Sequence, residues 1–300
     1  MRNTGKMNAV KRAATAVLAA AVLLASVPAM QLQAAGEVPG VESLCYLAMD
    51  ASTGEVLAER NADVTVPPAS TTKLVTAMVI CDVLPMDTVL PVTQEQLDRV
   101  PGGASKAGVK AGGAYYAYEL LAMMLIPSGA DAAQILAEAA YGSTDACVVA
   151  MNEKVKQLGL SATYFDNIYG LDGGNGYTAI RTTAREFAVI TQQAMTYDWI
   201  RIIVGMPAYA LPARTNNDVI GGLNTNQFLS GQKPYTSTLY QIIGTKTGTT
   251  RAAGSVLAAT ATNGKKEVIC VCFYNPNKDV LYGSVKQIYD YIYLQEASEQ

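Results

Sequence analysis

The hydrophobic positions near the two ends of the chain predict strands. Residues 44–49 and 55–59 flank a short turn-forming stretch, which predicts two strands joined by that turn. Near the other end, two apolar stretches flank Asn263-Gly264, a pair typical of a β-hairpin. The predicted strands cover residues 44–49, 55–59, 239–243, 254–262 and 267–274. Strands from both ends must then meet in one sheet.

The middle of the chain, about residues 85–237, has a mainly helical pattern. The predicted helices cover residues 119–126, 131–141, 144–158 and 182–196. A further apolar run, residues 74–84, predicts a helix ahead of this part. After the late strands, Leu281, Val285, Ile288 and Ile292 recur at helical spacing and predict an amphipathic last helix that packs on the sheet. The pattern therefore indicates an α+β protein whose sheet part is about 41–84 and 238–300.

Residues 1–35 have the form of a secretory signal. They carry four basic residues and no acid, followed by the apolar run 13–25 and small residues near Ala34 and Ala35. A membrane anchor is the alternative, but the uninterrupted apolar run is shorter than the ~20 residues that span a bilayer. We predict cleavage and an extracytoplasmic location, secreted or associated with the cell envelope, with residues 36–300 forming one domain.

Charge and cysteine usage narrow the function further. Removal of residues 1–35 would take away four positive charges and change the net charge from −3 to −7, which argues against nucleic acid as a partner. The five cysteines lie in apolar settings and predict buried, inert thiols. The chain has no histidine and no Cys-x-x-Cys pair, so we expect neither a metal nor a cofactor.

The spacing of Ser70 and Lys73 fits nucleophilic catalysis. Ser70-Thr71-Thr72-Lys73 opens the helix predicted over 74–84, and residues three apart lie on one helical face. A hydroxyl needs a neighbouring base, and without histidine that base would be Lys73. The amine can accept a proton only when neutral, which burial and a second nearby cation would favour by lowering its pKa.

Lys246 is the candidate for that second cation. It lies in Gly244-Thr245-Lys246-Thr247-Gly248, directly after the apolar residues 239–243, and is predicted to lie on a strand. A serine N-cap and a solvated lysine would be the simple structural interpretation of each motif taken alone. The order of the three elements, Ser70 at a helix start, Ser128-Gly129 in the middle and Lys246 late on a strand, favours a catalytic site.

In these residues the chain resembles the serine D-Ala-D-Ala carboxypeptidases, the low-molecular-weight penicillin-binding proteins, from about residue 44 to about residue 294. The resemblance implies the fold of the β-lactamases and transpeptidases: an antiparallel five-stranded sheet flanked by helices, with a mostly helical subdomain inserted. The matching stretches are Met49-Asp50-Ala51-Ser52-Thr53-Gly54, Pro67-Pro68-Ala69-Ser70-Thr71-Thr72-Lys73, Phe165-Asp166-Asn167, Tyr169-Gly170-Leu171-Asp172, Thr182-Thr183-Ala184-Arg185-Glu186 and Asn224-Thr225-Asn226.

The resemblance also implies roles for individual residues. Ser70 would be the acylated nucleophile, Lys73 its general base and Ser128 a proton relay. The terminal carboxylate of the substrate would be held by Lys246, Thr247 and Thr249 in the Lys-Thr-Gly segment that includes Gly248. Backbone amides of Ser70 and Thr249 would form the oxyanion hole. The implied partners are peptidoglycan stem peptides as substrate and β-lactams as inhibitors, and we expect a monomer.

One departure from the family pattern lies in the middle motif. The family usually has Ser-x-Asn, whereas Ser128 is followed here by Gly129 and Ala130, and a methyl group cannot hydrogen-bond a substrate amide. Asp131 fits a residue that opens the next helix and does not replace the asparagine. Loss of one hydrogen bond typically costs about 1–3 kcal/mol, which favours an altered but active site.

Two alternative functions stay open at this point. A class A-like β-lactamase would need a Glu-x-x-x-Asn loop to activate water for deacylation, and the comparable stretch here, residues 164–170, has no such pattern. A non-catalytic peptidoglycan-binding relative would explain Ala130. The presence of Ser70, Lys73, Ser128 and Lys246 argues against that second alternative.

Overall fold

Strands from the two ends of the chain pair in one sheet, as the hydrophobic pattern predicts. A computed structural model describes residues 36–173, 179–216, 218–233, 235 and 237–298, so the predicted signal, residues 1–35, lies outside the described residues. The sheet has the order β2-β1-β9-β8-β7, with every neighbouring pair antiparallel. Its strands are β1 (Cys45–Asp50), β2 (Val56–Arg60), β7 (Gln241–Thr250), β8 (Gly254–Thr262) and β9 (Glu267–Asn275).

The helices follow the predicted positions to within two residues at most boundaries. They are α1 (Lys73–Val83), α2 (Gln94–Asp98), α3 (Ala117–Leu125), α4 (Ala130–Tyr141), α5 (Thr144–Gln157), α6 (Ala184–Ala194), α7 (Asp198–Val204) and α8 (Lys278–Ser298). Short α2 and α7 were not predicted. Within the described ranges, no helix is both long and apolar enough to cross a bilayer.

The sheet separates two hydrophobic cores. On one face, α8 buries Leu281, Val285, Ile288 and Ile292, which confirms the predicted last helix. On the other face lies the larger core, with α1 at its centre. Every residue from Lys73 to Ile80 is buried, so this part of α1 contacts protein on all sides.

The predicted helical part, residues 85–237, also contains two small two-stranded sheets that the hydrophobic pattern did not indicate. One pairs β3 (Val89–Pro91) with β4 (Ala114–Tyr116), and the other pairs β5 (Ala208–Pro212) with β6 (Val219–Leu223). These strands are three to five residues long, too short for a clear alternation of apolar and polar positions.

The cysteines occupy apolar positions and form no disulfide. Cys45, Cys147, Cys270 and Cys272 are buried and Cys81 is half-buried, which confirms the prediction of burial for four of the five. The Sγ atoms of Cys270 and Cys272 lie 3.8 Å apart on one face of β9. Burial raises the pKa of Cys81 and of Cys147 to about 12, so these thiols stay protonated and unreactive near neutral pH.

Candidate functional site

Ser70 lies in a tight turn directly before the central helix. The turn is a 3₁₀ helix, Ala69–Thr72, and Lys73 is the first residue of α1. Ala69 has a φ of +49°, a left-handed conformation that is costly for a residue with a side chain. Gly170 packs against this turn so closely that a Cβ there would overlap the carbonyl oxygen of Ala69. The surrounding structure therefore fixes the backbone that presents Ser70.

The predicted contact between Ser70 and Lys73 is present. Lys73 Nζ lies 3.1 Å from Ser70 Oγ and donates a hydrogen bond to the backbone oxygen of Tyr169 at 3.0 Å. The lysine side chain is only 2% exposed. Burial lowers the pKa of Lys73 to about 7, although the carboxylate of Asp131 acts in the opposite direction. A substantial fraction of this amine is thus neutral near pH 7 and able to accept the Ser70 proton.

The acceptor at Tyr169 belongs to a loop that the side chain of Asn167 organises. Asn167 Oδ1 accepts hydrogen bonds from the backbone nitrogens of Tyr169 and Gly170, at 3.0 and 2.8 Å. Thr76 of α1 donates to the backbone oxygen of Ile168 at 2.9 Å, which ties the loop to the helix. The sequence indicated this stretch only through the family resemblance. A backbone carbonyl leaves no side-chain signal from which its role could be inferred.

Ser128 lies at the same site with a hydroxyl that is available for a new partner. It is 4% exposed and has a φ of +67°. Its Oγ makes no hydrogen bond with any residue that the structure describes. The proton relay implied by the family resemblance is therefore not assembled as a direct hydrogen bond to Lys73 in this state.

Asp131 has the structural role that the sequence indicated, and one more. It lies in the first turn of α4, and its carboxylate accepts from the backbone nitrogens of Ala107, Gly108 and Val109 at 2.8–3.0 Å. This carboxylate therefore holds residues 107–109, in the loop between α2 and β4, against the start of α4. Ala130 is fully buried, and its backbone nitrogen donates to Ser105 O at 2.7 Å.

Lys246 lies on edge strand β7 and is 1% exposed. Its Nζ donates to the backbone oxygen of Thr247 at 3.0 Å. Burial, and then the charge of Lys73, lower the pKa of Lys246 well below its usual range. From the sequence, we expected a second cation to help lower the pKa of Lys73. In the structure burial is the cause that lowers the pKa of Lys73, and the effect of one lysine's charge on the other is found at Lys246.

Five of the seven predicted site residues line one cleft of about 220 Å³, which we call the serine cleft. The other two, Lys73 and Lys246, are buried beside it. The five are Ser70, Ser128, Thr247, Gly248 and Thr249. Ser105, Thr225 and Lys278 also line the cleft and were not predicted as site residues. Lys278 begins the last helix as an exposed lysine, so nothing in its sequence context distinguishes it from a solvated charge.

The strand β7 approaches Ser70 at Gly248. A Cβ built on Gly248 would lie 2.7 Å from Ser70 N and 2.8 Å from the Cβ of Ala69, distances that real Cβ atoms do not show. The backbone of β7 therefore lies against the backbone amide of Ser70.

The lining of the serine cleft favours an anion. The exposed Lys278 lines it, the buried amine of Lys246 lies beside it, and no acidic residue is among its described lining residues. Across the described ranges, no three His, Cys, Asp or Glu side chains are grouped to hold a metal ion. A serine with an adjacent amine that is partly neutral near pH 7, in a cleft lined by a lysine and by no described acidic residue, can perform acyl transfer on a substrate that carries a carboxylate.

This fold and site define a serine acyl-transfer enzyme of the penicillin-binding type, and comparison with known proteins agrees. The family model for D-alanyl-D-alanine carboxypeptidase, peptidase S11, matches residues 32–277. The chain is 32% identical to the D-alanyl-D-alanine carboxypeptidase DacB2 of Mycobacterium tuberculosis over 252 residues, covering 83% of this chain and 81% of the relative. It belongs to the peptidase S11 family and is a serine-type D-Ala-D-Ala carboxypeptidase. It is therefore a hydrolase with a function in the cell wall.

Solved structures show the same fold. The Streptomyces K15 DD-transpeptidase matches with a TM-score of 0.74 at 29% identity, covering 84% of this chain and 97% of that one. A D-alanyl-D-alanine carboxypeptidase from Mycobacterium tuberculosis matches with a TM-score of 0.75 at 28% identity, covering 87% and 95%. The family match favours the carboxypeptidase over the β-lactamase alternative.

Proposed function

We propose that this protein is a secreted carboxypeptidase, exported with loss of residues 1–35, that removes the terminal D-alanine from peptidoglycan stem peptides through an acyl-Ser70 intermediate. Penicillin would acylate the same serine. The observation that carries this proposal is the buried Lys73 amine, 3.1 Å from Ser70 Oγ, at the base of a cleft bounded by β7.

The reaction would begin when neutral Lys73 takes the Ser70 proton as Ser70 Oγ attacks the carbonyl carbon between the two D-alanines. The backbone amides of Ser70 and Thr249 stabilise the oxyanion that forms. The C–N bond then breaks, and the leaving amine receives the proton through Ser128. Water attacks the acyl-Ser70 ester, which releases the shortened peptide and returns the proton to the serine.

The substrate carboxylate would bind at Lys246, with the hydroxyls of Thr247 and Thr249 as further donors. A bound carboxylate favours the charged form of Lys246. Because Lys73 and Lys246 lie close enough to affect each other's protonation, a charged Lys246 favours the neutral form of Lys73. Substrate binding would in this way help to prepare the base.

The rate of Ser70 acylation is expected to rise with pH through about 7. Lys73 acts as a base only when neutral, and its pKa of about 7 places the loss of its proton there. The second-order rate constant for penicillin acylation, measured between pH 5 and 9, gives this profile. The Lys73→Met variant should lose the inflection; an unchanged inflection in that variant would assign the pH dependence to another group.

The proposed function is tested by D-alanine release from diacetyl-Lys-D-Ala-D-Ala and by turnover of nitrocefin. We expect release of D-alanine and slow hydrolysis of the acyl-enzyme formed with the β-lactam. Rapid nitrocefin turnover would instead indicate a β-lactamase. Tight peptide binding without D-alanine release would indicate the non-catalytic relative. An Ala130→Asn variant, assayed in parallel, shows how far the missing amide affects peptide positioning, with an expected fall in KM.

A further inference from the structure

A second cleft adjoins the serine cleft, and we call it the loop cleft. It has a volume of about 490 Å³, and Thr249 borders both clefts. Its lining residues come from the loop after α2, from the loop that contains Asn167, and from the end of β7: Pro101, Gly102, Gly103, Asn167, Tyr169, Leu171, Asp172, Thr249 and Thr250. The two clefts therefore meet at one residue of the catalytic strand.

The direction of a bound peptide follows from the proposed function, on which this inference rests. If Lys246 and Thr247 hold the terminal carboxylate and Ser70 attacks the preceding carbonyl, the rest of the peptide must leave past Thr249. The next residue of β7, Thr250, already lines the loop cleft. β7 is an edge strand, so a peptide can extend along it by strand addition. The residues that precede D-Ala-D-Ala are thus directed toward the loop cleft.

Asp172 is the one charged residue among the described residues that line the loop cleft. Its Oδ2 accepts a hydrogen bond from the backbone nitrogen of Ala252 at 2.9 Å, which fixes the carboxylate just beyond the end of β7. Within the described part of the chain, no lysine or arginine forms an ion pair with it. A partly buried carboxylate, held in place but without a cationic partner, is suited to bind an amine from a ligand.

We propose that Asp172 recognises a free side-chain amine on the residue that precedes D-Ala-D-Ala in the substrate. The ligand class is a peptide with a diamino acid at that position and an unmodified terminal amine. Substrates in which this amine is acylated, as it is in a cross-linked peptide, would lose the charge that Asp172 pairs with. The loop cleft would therefore favour uncross-linked stem peptides.

The test compares Nα-acetyl-Lys-D-Ala-D-Ala, which has a free ε-amine, with its Nα,Nε-diacetyl form. For the wild-type chain at low salt, we expect kcat/KM for D-alanine release to be about tenfold higher with the free amine, the size expected for a hydrogen bond between charged groups. In Asp172→Asn, which can still accept from Ala252 N, this ratio should fall to about one. Asp166→Asn is the matched control, because Asp166 lies in the same loop but does not line the cleft, and its ratio should stay near that of wild type.

Binding measurements on the Ser70→Ala protein separate this inference from the proposed function. The ratio of the two peptide dissociation constants should show the same preference without turnover. If Ser70→Ala binds the free-amine peptide more tightly but the wild-type chain releases no D-alanine, the result would support the Asp172 site and contradict the carboxypeptidase mechanism. Equal binding and equal hydrolysis of both peptides would overturn the Asp172 site and leave the mechanism intact. Retention of the wild-type ratio by folded, penicillin-reactive Asp172→Asn would also overturn it.

Discussion

The Ser70→Ala variant is expected to take up no label from a fluorescent penicillin, whereas the wild-type chain should take up one equivalent. Ser70 is the serine of the cleft whose Oγ has a lysine amine within hydrogen-bond distance, and that amine has a pKa of about 7. Removal of the hydroxyl leaves nothing to form the acyl bond, so the loss should be complete. Intact-protein mass spectrometry measures the covalent adduct directly.

Ser105→Ala is the matched control for this experiment. Ser105 lines the same cleft and has an exposed side chain, but no lysine contacts its hydroxyl in the described structure. This variant should still form the covalent adduct. If Ser70→Ala still formed the adduct, or if Ser105→Ala were the variant that failed to form it, Ser70 would not be the nucleophile.

The fold was largely predictable because the sequence patterns that indicate its hairpins and strands agree with the pairing of distant strands in the sheet. The hairpin at Asn263-Gly264 is present, with Asn263 Oδ1 accepting from the backbone nitrogens of Lys265 and Lys266 at 2.9 and 2.7 Å. β1 pairs with β9, which lies more than two hundred residues later, because both are apolar and need a sheet position covered on both faces. The two small sheets in the helical part had no comparable signal, since their strands are short and partly exposed.

Within the candidate site, the sequence could identify the side chains that are proposed to perform the chemistry, but it could not identify the groups that position them. Ser70, Lys73 and Lys246 have distinctive spacing and context. The backbone oxygen of Tyr169 and the packing of Gly170 on Ala69 depend on a loop almost a hundred residues later in the chain. The cause of the low pKa of Lys73 was also only partly predictable, because burial, a property of the packed structure, lowers it, whereas the nearby lysine named from the sequence is not among the causes.

Replacement of Gly248 by alanine is expected to reduce the acylation rate about 10²- to 10³-fold, the typical cost of losing one oxyanion-hole donor. The new Cβ would lie 2.7 Å from Ser70 N and 2.8 Å from Val256 Cγ2, so either β7 or the turn that carries Ser70 must move. Both backbone amides proposed for the oxyanion hole lie on these two segments. The second-order rate constant for penicillin acylation measures the effect.

Gly283→Ala distinguishes this local effect from a general sensitivity to glycine replacement. Gly283 lies inside α8, is exposed and has no atom within 4 Å of a built Cβ. Alanine there should leave acylation unchanged and stabilise the helix by about 0.5–1 kcal/mol, which raises the unfolding midpoint. Gly248→Ala should instead lose acylation while far-UV circular dichroism stays native, because the clash is confined to one side of the sheet. If Gly248→Ala were acylated at the wild-type rate, the close approach of β7 to Ser70 would have no catalytic role, and the oxyanion hole would have to be sought elsewhere.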